Sequence, residues 1–279
     1  MLRLKKSLGQ NFLVDKNVIN KIVSLDVIKD KKIFEIGPGS GNLTNYIIQK
    51  KPKTILLIEK DKRFYEILSK KYRFKKNYKI INEDILNYDL NKHKKEDAII
   101  FGNLPYNIST QILAKFISTN IWPPFYKKII FMFQKEVADR ILAKCNTKQY
   151  SRITILANFK LDVIETFKIS KKCFFPIPHV DSKIIAFKPK IKSDYKISNI
   201  KNLEKITHIF FSNKRKMINK PFSKIFDNYK EVAEQLKIDL NLRPSELSCN
   251  DYYRLTEYYE KTFRDLGSGL NEKTISSRS

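Results

Sequence analysis

One segment organises this chain of 279 residues: Ile99-Ile100-Phe101-Gly102-Asn103-Leu104-Pro105-Tyr106-Asn107-Ile108-Ser109-Thr110. An apolar run ends at Gly102, an amide, a proline and an aromatic residue follow, and a helical pattern begins at Ser109. This order predicts a strand, a rigid turn and a helix start. Such a turn exposes its side chains at the C-terminal edge of a sheet, where open α/β folds bind ligands. The alternative is a purely structural turn in which Tyr106 only covers the core.

Strand-like and helix-like segments alternate along the first half of the chain. The strand-like segments are Ile33–Ile36, Thr54–Ile58, Tyr78–Ile81, Asp97–Phe101 and Lys127–Phe133. The helix-like segments cover residues 16–25, with Asp15 as a suitable N-cap, and then 42–50, 62–71, 109–118 and 134–142. This alternation predicts an α/β fold, in which helices cover both faces of a parallel sheet.

A glycine-rich turn follows the first strand-like segment, with the sequence Gly37-Pro38-Gly39-Ser40-Gly41. Glycines let the backbone approach a ligand closely, and the N-terminus of the next helix favours negative charge. Asn42 occupies the position of the third glycine of the dinucleotide fingerprint, so the loop alone is equally compatible with an ordinary turn. Glu59 ends the next strand, where α/β folds hold ribose hydroxyls, although it could pair with Lys60 or Lys62 instead.

The pattern changes after residue 149. A helix over 151–158 is predicted to precede two alternating strand-like segments, 161–167 and 183–187. Between these segments lies Cys173-Phe174-Phe175-Pro176-Ile177-Pro178-His179-Val180-Asp181-Ser182. Because two prolines exclude a central strand, this segment is predicted to be a rigid loop that presents aromatic side chains. The aromatic pair either belongs to the core or stacks on a nucleobase.

A polar linker over 191–198 is predicted to lead into an all-helical part. Its helices are expected over 200–211, 217–226, 232–236 and 252–263. The basic run Lys214-Arg215-Lys216 lies between two of them. These residues are candidates for RNA contacts, although a short charge run is usually a solvated surface. The predicted organisation is a first domain over 1–190, a smaller helical substrate-recognition domain over 191–263, and a disordered tail over 264–279.

The composition points to a polyanionic partner. The chain has 55 Lys and Arg against 29 Asp and Glu, a net charge of +26, which favours nucleic acid over a membrane. Codon bias would also produce part of this lysine surplus. The 3 cysteines are far apart and do not cluster with histidine, so neither a disulfide nor a metal site is predicted. No signal peptide and no run of about 20 apolar residues is found, so a cytoplasmic protein is expected.

Residues that could bind a ligand or take part in a reaction follow several neighbouring strands of the predicted sheet. They are the Gly37 loop, Glu59, Asp84, Asn103 and the loop at Phe174. All should meet at one edge of the sheet. The set contains no nucleophile, no metal cluster and no histidine, so it suits a reaction that requires only the positioning of two substrates. Methyl transfer from a sulfonium donor is such a reaction, because the donor is already activated.

Several segments together resemble the bacterial small-subunit (16S) ribosomal RNA adenine N6,N6-dimethyltransferases, enzymes of the class I, Rossmann-like fold that use S-adenosylmethionine (SAM). The resemblance covers about residues 5–263. Its segments are Leu8–Leu13, Glu35–Thr44, Asn103–Thr110, Phe133–Arg140, Phe174–Ser182, Lys214–Lys216 and Leu242–Ser248. Ser151 departs from the family pattern, which often has glycine at that position. The segment after about residue 264 has no counterpart in the family.

The resemblance implies a SAM site without a metal. Asn11 and Leu13 would close over the donor, Gly37 would approach its methionine part, and Glu59 would accept from its ribose. Asp84 would accept from the adenine amino group of SAM. The same resemblance adds Gly39, Ile85 and Asn103 to the donor-binding set.

The resemblance also implies an acceptor site. Asn103 and the Leu104 carbonyl would accept from the N6 amino group of the target adenine, and Pro105 would hold the turn. Tyr106 would stack on the base and Phe174 would cover its other face, with Phe175 as the neighbouring candidate. The substrate would be two adjacent adenosines in the 3′-terminal hairpin loop of small-subunit rRNA, each dimethylated by a monomeric enzyme inside an assembling subunit.

Two alternatives remain at this point. One is the related large-subunit (23S) rRNA adenine methyltransferase, which shares the fold and donor site. Leu104, the run Gln134–Ala138 and the segment Leu242–Pro244 favour the small-subunit enzyme. The other is a non-catalytic RNA-binding assembly factor on the same fold. The intact set of donor and acceptor residues argues against a loss of catalysis.

Overall fold

The computed structural model describes residues 11–93, 96–119 and 121–267, and the predicted alternation of strands and helices is found there. The strands are β1 (Phe12–Leu13), β2 (Lys32–Ile36), β3 (Thr54–Glu59), β4 (Tyr78–Asn82), β5 (Ala98–Asn103), β6 (Tyr126–Gln134), β7 (Leu161–Ile169), β8 (Phe174–Phe175) and β9 (Ser182–Pro189). The first helices are α1 (Lys16–Val23), α2 (Asn42–Gln49), α3 (Lys62–Tyr72), α4 (Ser109–Ile117), α5 (Lys135–Ile141) and α6 (Arg152–Lys160). The predicted N-cap is confirmed, since the Asp15 carboxylate accepts from the N–H of Val18.

The main sheet has 7 strands in the order β4-β3-β2-β5-β6-β9-β7. The pairs among the first five are parallel, as predicted, whereas β9 pairs antiparallel with both β6 and β7. No crossover helix separates β7 from β9, and a parallel pair would need one. The chain order reverses on either side of β2, so the gap between the carboxyl ends of β2 and β5 is the topological switch point of the sheet.

The register of the sheet brings the predicted site segments together. Ile36 is paired with both Ile58 and Gly102. The residues that follow these three positions therefore begin at neighbouring points of the same edge. They are Gly37, Glu59 and Asn103. A separate sheet of 2 strands joins β1 to β8, where Phe12 pairs with Phe175 and Leu13 with Phe174.

The described residues divide into two compact units, one within 1–142 and 160–191 and the other within 143–159 and 192–279. The sequence-based division assigned 143–159 to the first domain. Their apolar side chains instead pack with the helical unit, because Tyr150, Ile155 and Phe159 share a buried cluster with Leu203 and Tyr252. The first unit contains its own core around the sheet, which includes Ile33, Ile99 and Ile130 among other residues.

The helical unit contains α7 (Ile200–Phe211), α8 (Asn219–Ser223), α9 (Tyr229–Gln235) and α10 (Cys249–Gly267). The helix predicted over 217–226 is much shorter than expected. The N–H of Ile218 donates to the carbonyl of Leu242, so this residue joins another segment rather than a helical turn. Residues 264–267 belong to α10, contrary to the predicted tail, and 268–279 lie outside the described residues. Among the described residues, no helix has the length and apolarity needed to span a membrane.

Candidate active site

A cavity opens at the carboxyl ends of β2, β3 and β5, in the first unit. Most of the residues predicted to bind the donor or the acceptor line it. They are Asn11, Leu13, Gly37, Gly39, Glu59, Asn103, Leu104, Pro105 and Tyr106. Asp84, Ile85 and Phe174 are not among the lining residues. The cavity therefore brings together most, but not all, of the residues that the sequence singled out.

The glycine loop follows β2 and forms one wall of the cavity. Gly37 has φ +63° and Gly39 has φ +54°, a region that L side chains rarely adopt. A Cβ atom on Gly39 would lie only 2.7 Å from the ring of Phe12, and one on Gly37 would lie 4.0 Å from the main-chain oxygen of Asn103. The loop therefore needs glycine both for its backbone conformation and for the close approach of Phe12.

Glu59 is held firmly at the end of β3. Its two carboxylate oxygens accept from the N–H groups of Gly39, at 2.9 Å, and Asp61, at 2.8 Å. Burial raises the pKa of the carboxyl above its ordinary value, although these N–H groups act in the opposite direction. Each carboxylate oxygen can accept a further hydrogen bond, so Glu59 is pre-oriented to receive two neighbouring hydroxyl groups.

Glu35 is a site residue that the sequence reasoning did not identify. Its side chain lies in the cavity wall and is only 2% exposed. Burial, reinforced by the negative charge of Glu59, raises the pKa of Glu35 to about 8. An acidic residue inside the apolar run Ile33-Phe34-Glu35-Ile36 was the available signal, because a buried strand normally carries no carboxylate.

The cavity fits a cationic, polar ligand such as SAM. Among the described residues, Glu35 Oε2 and Ser40 Oγ are buried and have no hydrogen-bond partner, and both side chains line the cavity. Buried polar atoms without a partner are costly, so their presence here indicates a place for ligand groups. Of the acidic residues around this space, Glu59 is the one that suits the positive charge of a sulfonium compound, because Glu35 keeps its proton up to about pH 8 and Asp61 is paired with Arg63.

The N-terminal arm, defined here as Asn11–Leu13, lies over the glycine loop. The side-chain amide of Asn42 donates to the carbonyl of Leu13 at 2.9 Å, and that of Asn103 donates to the carbonyl of Asn11 at 3.0 Å. The ring of Phe12 meets Phe64 edge to face, with centroids 5.4 Å apart. In the sequence, Asn42 was noted only because it replaces the third glycine of the dinucleotide fingerprint. In the structure its amide holds the arm through the bond to Leu13.

The predicted acceptor turn, Asn103–Tyr106, lies at the carboxyl end of β5. The side chain of Leu104 is buried against Gly102, where a Cβ atom would lie 2.7 Å from Leu104 Cδ2. No described residue donates to the Leu104 carbonyl or to Asn103 Oδ1. These two oxygens are therefore available as the acceptor pair that the sequence predicted. The ring of Tyr106 forms the next part of the wall, and its hydroxyl lies 2.8 Å from Ser182 Oγ.

Asp84 and Ile85 follow β4 and lie outside the cavity lining. The Asp84 carboxylate forms a 2.7 Å ion pair with Lys60 and accepts from the N–H of Leu86. Partial burial opposes ionisation, but these two contacts prevail and lower the pKa of Asp84. Ile85 is 5% exposed. Each Asp84 oxygen can accept a further hydrogen bond beside these contacts. The roles of Asp84 and Ile85 remain predictions.

The structure contradicts the expected position of Phe174. Its side chain is 2% exposed and belongs to the core cluster that includes Leu13. Successive side chains of a strand point in opposite directions, so the burial of Phe174 turns Phe175 outward. Phe175 is 56% exposed. Phe175, the neighbouring candidate, is therefore the more exposed of the two rings, although it is not among the residues that line the cavity.

The three basic candidates of the helical unit differ in their surroundings. The Lys214 ammonium donates to the carbonyls of Lys148 at 2.7 Å and Tyr150 at 2.6 Å, and so fastens the loop before α6. Arg215 and Lys216 are exposed. Part of the predicted RNA-binding run thus has a structural task. Throughout the part of the chain that the structure describes, no group of three or more metal-ligating side chains is found.

Comparison with known proteins identifies the family. The model of the family described as ribosomal RNA adenine dimethylase matches residues 1–261. The ribosomal RNA small subunit methyltransferase A of Pelagibacter ubique is 48% identical over 262 residues, which covers 93% of this chain and 98% of that protein. The protein of the same name from Mycoplasmopsis synoviae is 38% identical over 256 residues, covering 91% and 96%.

Solved structures agree with this assignment. A dimethyladenosine transferase from Plasmodium falciparum matches with a TM-score of 0.72 and 27% identity, covering 91% of this chain and 98% of that one. The 23S rRNA methyltransferase ErmE matches with a TM-score of 0.64 over 89% of this chain and 99% of that one, and at 20% identity it shows the fold alone. The predicted class I methyltransferase fold is confirmed. The family predicted from the sequence is confirmed as well, and the chain belongs to the ribosomal RNA adenine dimethylases.

Proposed function

We propose that this protein transfers methyl groups from SAM to the N6 atoms of two adjacent adenosines in the 3′-terminal hairpin loop of small-subunit rRNA. The product would be N6,N6-dimethyladenosine, formed while the subunit assembles. The observation that carries the proposal is the closeness of the two halves of the site. A Cβ atom on Gly37, in the donor loop, would lie 4.0 Å from the main-chain oxygen of Asn103 in the acceptor turn.

The acceptor half would activate the adenine amino group by hydrogen bonding. The nitrogen lone pair of this group is delocalised into the ring and is a poor nucleophile. In the first transfer, Asn103 Oδ1 and the Leu104 carbonyl would accept its two N–H groups and hold the lone pair toward the donor methyl group. One N–H remains for the second transfer. Each transfer would break the S–CH₃ bond, form an N–CH₃ bond and release one amino proton to solvent. Pro105 restricts the turn that carries both oxygens. Holding two reactants in line in this way accounts for a large part of the rate, because little further chemistry is required.

The donor half would be formed by the glycine loop, Glu59 and the arm. SAM, when bound, supplies a methyl group on a sulfonium centre and needs no metal. Glu59 would accept from the ribose hydroxyls, and the loop at Gly37 and Gly39 would approach the methionine part. Asn11 and Leu13 would cover the donor, because the arm is already fastened over the loop. Asp84 and Ile85 would complete the adenine end.

The target base would be unstacked before it reacts, because the amino group must approach the cavity wall. Tyr106 would stack on one face of the adenine, and the exposed Phe175 would be available for the other. Arg215 and Lys216 would contact RNA phosphates from the helical unit. The assembling small subunit as the setting, a monomeric enzyme and a cytoplasmic location belong to the same proposal.

A methyl-transfer assay with labelled SAM tests the proposal. The purified protein is incubated with immature small subunits and, separately, with large-subunit RNA. We expect label in two adjacent dimethyladenosines of small-subunit rRNA, located by mass spectrometry of nuclease fragments. Label found only in large-subunit RNA would favour the alternative methyltransferase. SAM-independent binding to small subunits without any label would favour the assembly factor.

A further inference from the structure

Tyr106 and Ser182 are joined by a hydrogen bond across 76 residues of sequence, with 2.8 Å between their hydroxyl oxygens. Ser182 is fully buried and is the first residue of β9. Tyr106 is partly exposed and lines the cavity next to the acceptor turn. The bond therefore connects a side chain that faces the substrate with one that is fixed inside the protein.

Ser182 is held in place from several directions. It is paired with Gln134 in β6 and with Ile169 in β7, so strands on both sides fix its backbone. The preceding residue, Asp181, accepts from the N–H of Lys135 through its carbonyl and from the N–H of Lys171 through its carboxylate, both at 2.9 Å. A hydroxyl carried on such a backbone is a rigid anchor.

An ion-pair network supports the same end of β9. The Asp139 carboxylate of α5 pairs with Lys135 and with Lys183, each at 2.7 Å. Lys183 is the residue after Ser182, and its side chain is 15% exposed. Residues of the segment Phe133–Arg140 thus stabilise the start of β9, where the segment Phe174–Ser182 ends. The proposed methyl transfer assigns few other roles to these two segments.

We propose that Ser182 is a positioning residue whose hydroxyl fixes the orientation of the Tyr106 ring against the target base. This inference rests on the proposed function, in which Tyr106 stacks on the adenine. Without the anchor, the ring can turn about its two side-chain torsions, and the stacked base turns with it. The amino group then spends less time in line with the donor, so transfer slows while RNA binding, which is governed by phosphate contacts, changes little.

A double-mutant cycle tests the proposal, using Ser182→Ala, Tyr106→Phe and the two combined. Both single changes remove the same hydrogen bond and leave the aromatic ring in place. We expect each to lower kcat by about ten- to a hundredfold with nearly unchanged Kd for SAM and for RNA. The combined variant should be no slower than the slower single variant, because the changes share one interaction. Multiplying effects, or an unchanged kcat in Ser182→Ala, would overturn the proposal.

A spectroscopic measurement separates orientation from general loss of structure. With 2-aminopurine at the target position, stacking on Tyr106 should quench the fluorescence. We expect a broader distribution of fluorescence lifetimes in both single variants than in the unchanged protein. If Ser182→Ala does not fold, Tyr106→Phe still removes the bond from the partly exposed side. A single narrow distribution in Tyr106→Phe would contradict the proposal.

Two further variants complete the design. Thr166→Val is the matched control, since the Thr166 hydroxyl donates to the carbonyl of Ile184 at 2.8 Å within the same pair of strands. It should leave kcat unchanged, and a loss equal to that of Ser182→Ala would reduce Ser182 to a structural role. Tyr106→Ala tests stacking itself. Full activity in Tyr106→Ala would overturn the proposed role of Tyr106, whereas loss in Tyr106→Ala with full activity in Ser182→Ala would overturn only the role of Ser182.

Discussion

The side-chain amide of Asn103 donates to the main-chain carbonyl of Asn11 over 3.0 Å, and so joins the acceptor turn to the arm that covers the donor loop. Because the NH₂ group is directed at the arm, the carbonyl oxygen Oδ1 points away from it, as a hydrogen-bond acceptor. One contact therefore both holds the arm and orients the oxygen that we propose accepts from the target amino group.

Asn103→Ala should abolish most of the methyl transfer and weaken SAM binding only partly. The variant loses one of the two oxygens that hold the amino group, and the comparable loss of one catalytic hydrogen bond costs about a hundred- to a thousandfold in kcat. Single-turnover transfer of labelled methyl groups gives the rate, and calorimetric titration gives the Kd for SAM. Asn91→Ala, which removes an exposed amide elsewhere, is the control. Transfer at the unchanged rate would exclude Asn103 from the reaction.

Gly39→Ala should weaken SAM binding by roughly tenfold, equivalent to about 1.4 kcal/mol. The new methyl group would lie 2.7 Å from the Phe12 ring, and φ of +54° strains any L residue. The ring and the arm must then move off the loop. Adding Phe12→Leu should restore part of the affinity, because it relieves the contact and leaves the backbone strain. Equal affinities in Gly39→Ala and the unchanged protein would show that the arm does not pack on the loop.

Glu35 predicts a pH dependence of both stability and donor binding. Burial raises the pKa of this carboxyl from 4.5 to about 8, so the folded protein retains a proton that the unfolded chain releases. The contribution of Glu35 to stability therefore declines as the pH rises from about 4.5 toward 8, and is constant above that. Glu35→Gln should remove this decline, so the difference in Tm between the two proteins grows in favour of the variant across the same range.

Donor binding should show the opposite trend, because the ionised Glu35 attracts a cationic ligand more strongly. The affinity for SAM should rise as the pH approaches about 8 in the unchanged protein and should be flatter in Glu35→Gln. Calorimetry at pH 7 in buffers of different ionisation enthalpy should detect proton release on binding only in the unchanged protein. Equal proton release in both proteins would mean that another group is the source.

The sequence predicted the edge of the sheet at which the site lies, because the carboxyl ends of parallel strands are set by the alternation of strands and helices. Gly37, Glu59 and Asn103 lie there as expected. Strand direction beyond β6 was not predicted, although the segment expected between 161–167 and 183–187 is a loop and lacks the crossover helix that a parallel pair needs. The burial of Phe174 instead of Phe175 depends on pairing with the distant arm, and no local pattern contains that information.

Contacts across long sequence distances account for the other differences. Asn42, Ser182 and Lys214 each bind a group more than 25 residues away, so only the folded chain reveals their partners. Residues 143–159 joined the helical unit for the same reason, since their apolar side chains could pack in either core. Glu35 was the exception, because a carboxylate in a buried strand was visible in the sequence itself.

The basic residues Lys214, Arg215 and Lys216 should differ in function, two of them in RNA binding and one in stability. The double variant Arg215→Ala, Lys216→Ala loses two exposed cations. RNA affinity should fall, and the slope of log Kd against log salt concentration should decrease by about one to two. The Tm should stay nearly constant, because neither side chain is buried. Filter binding across a salt series provides both the affinity and the slope.

Lys214→Ala should behave in the opposite way. Its ammonium donates to the carbonyls of Lys148 and Tyr150, and charge-assisted bonds of this kind stabilise a fold by about 2 kcal/mol. We expect a lower Tm and faster amide exchange in the loop before α6, with little change in the salt slope. Lys214→Arg, which keeps the charge, helps to separate the roles, because its guanidinium cannot reproduce the geometry of the ammonium at both carbonyls. A full salt effect in Lys214→Ala with an unchanged Tm would return Lys214 to the RNA-binding set.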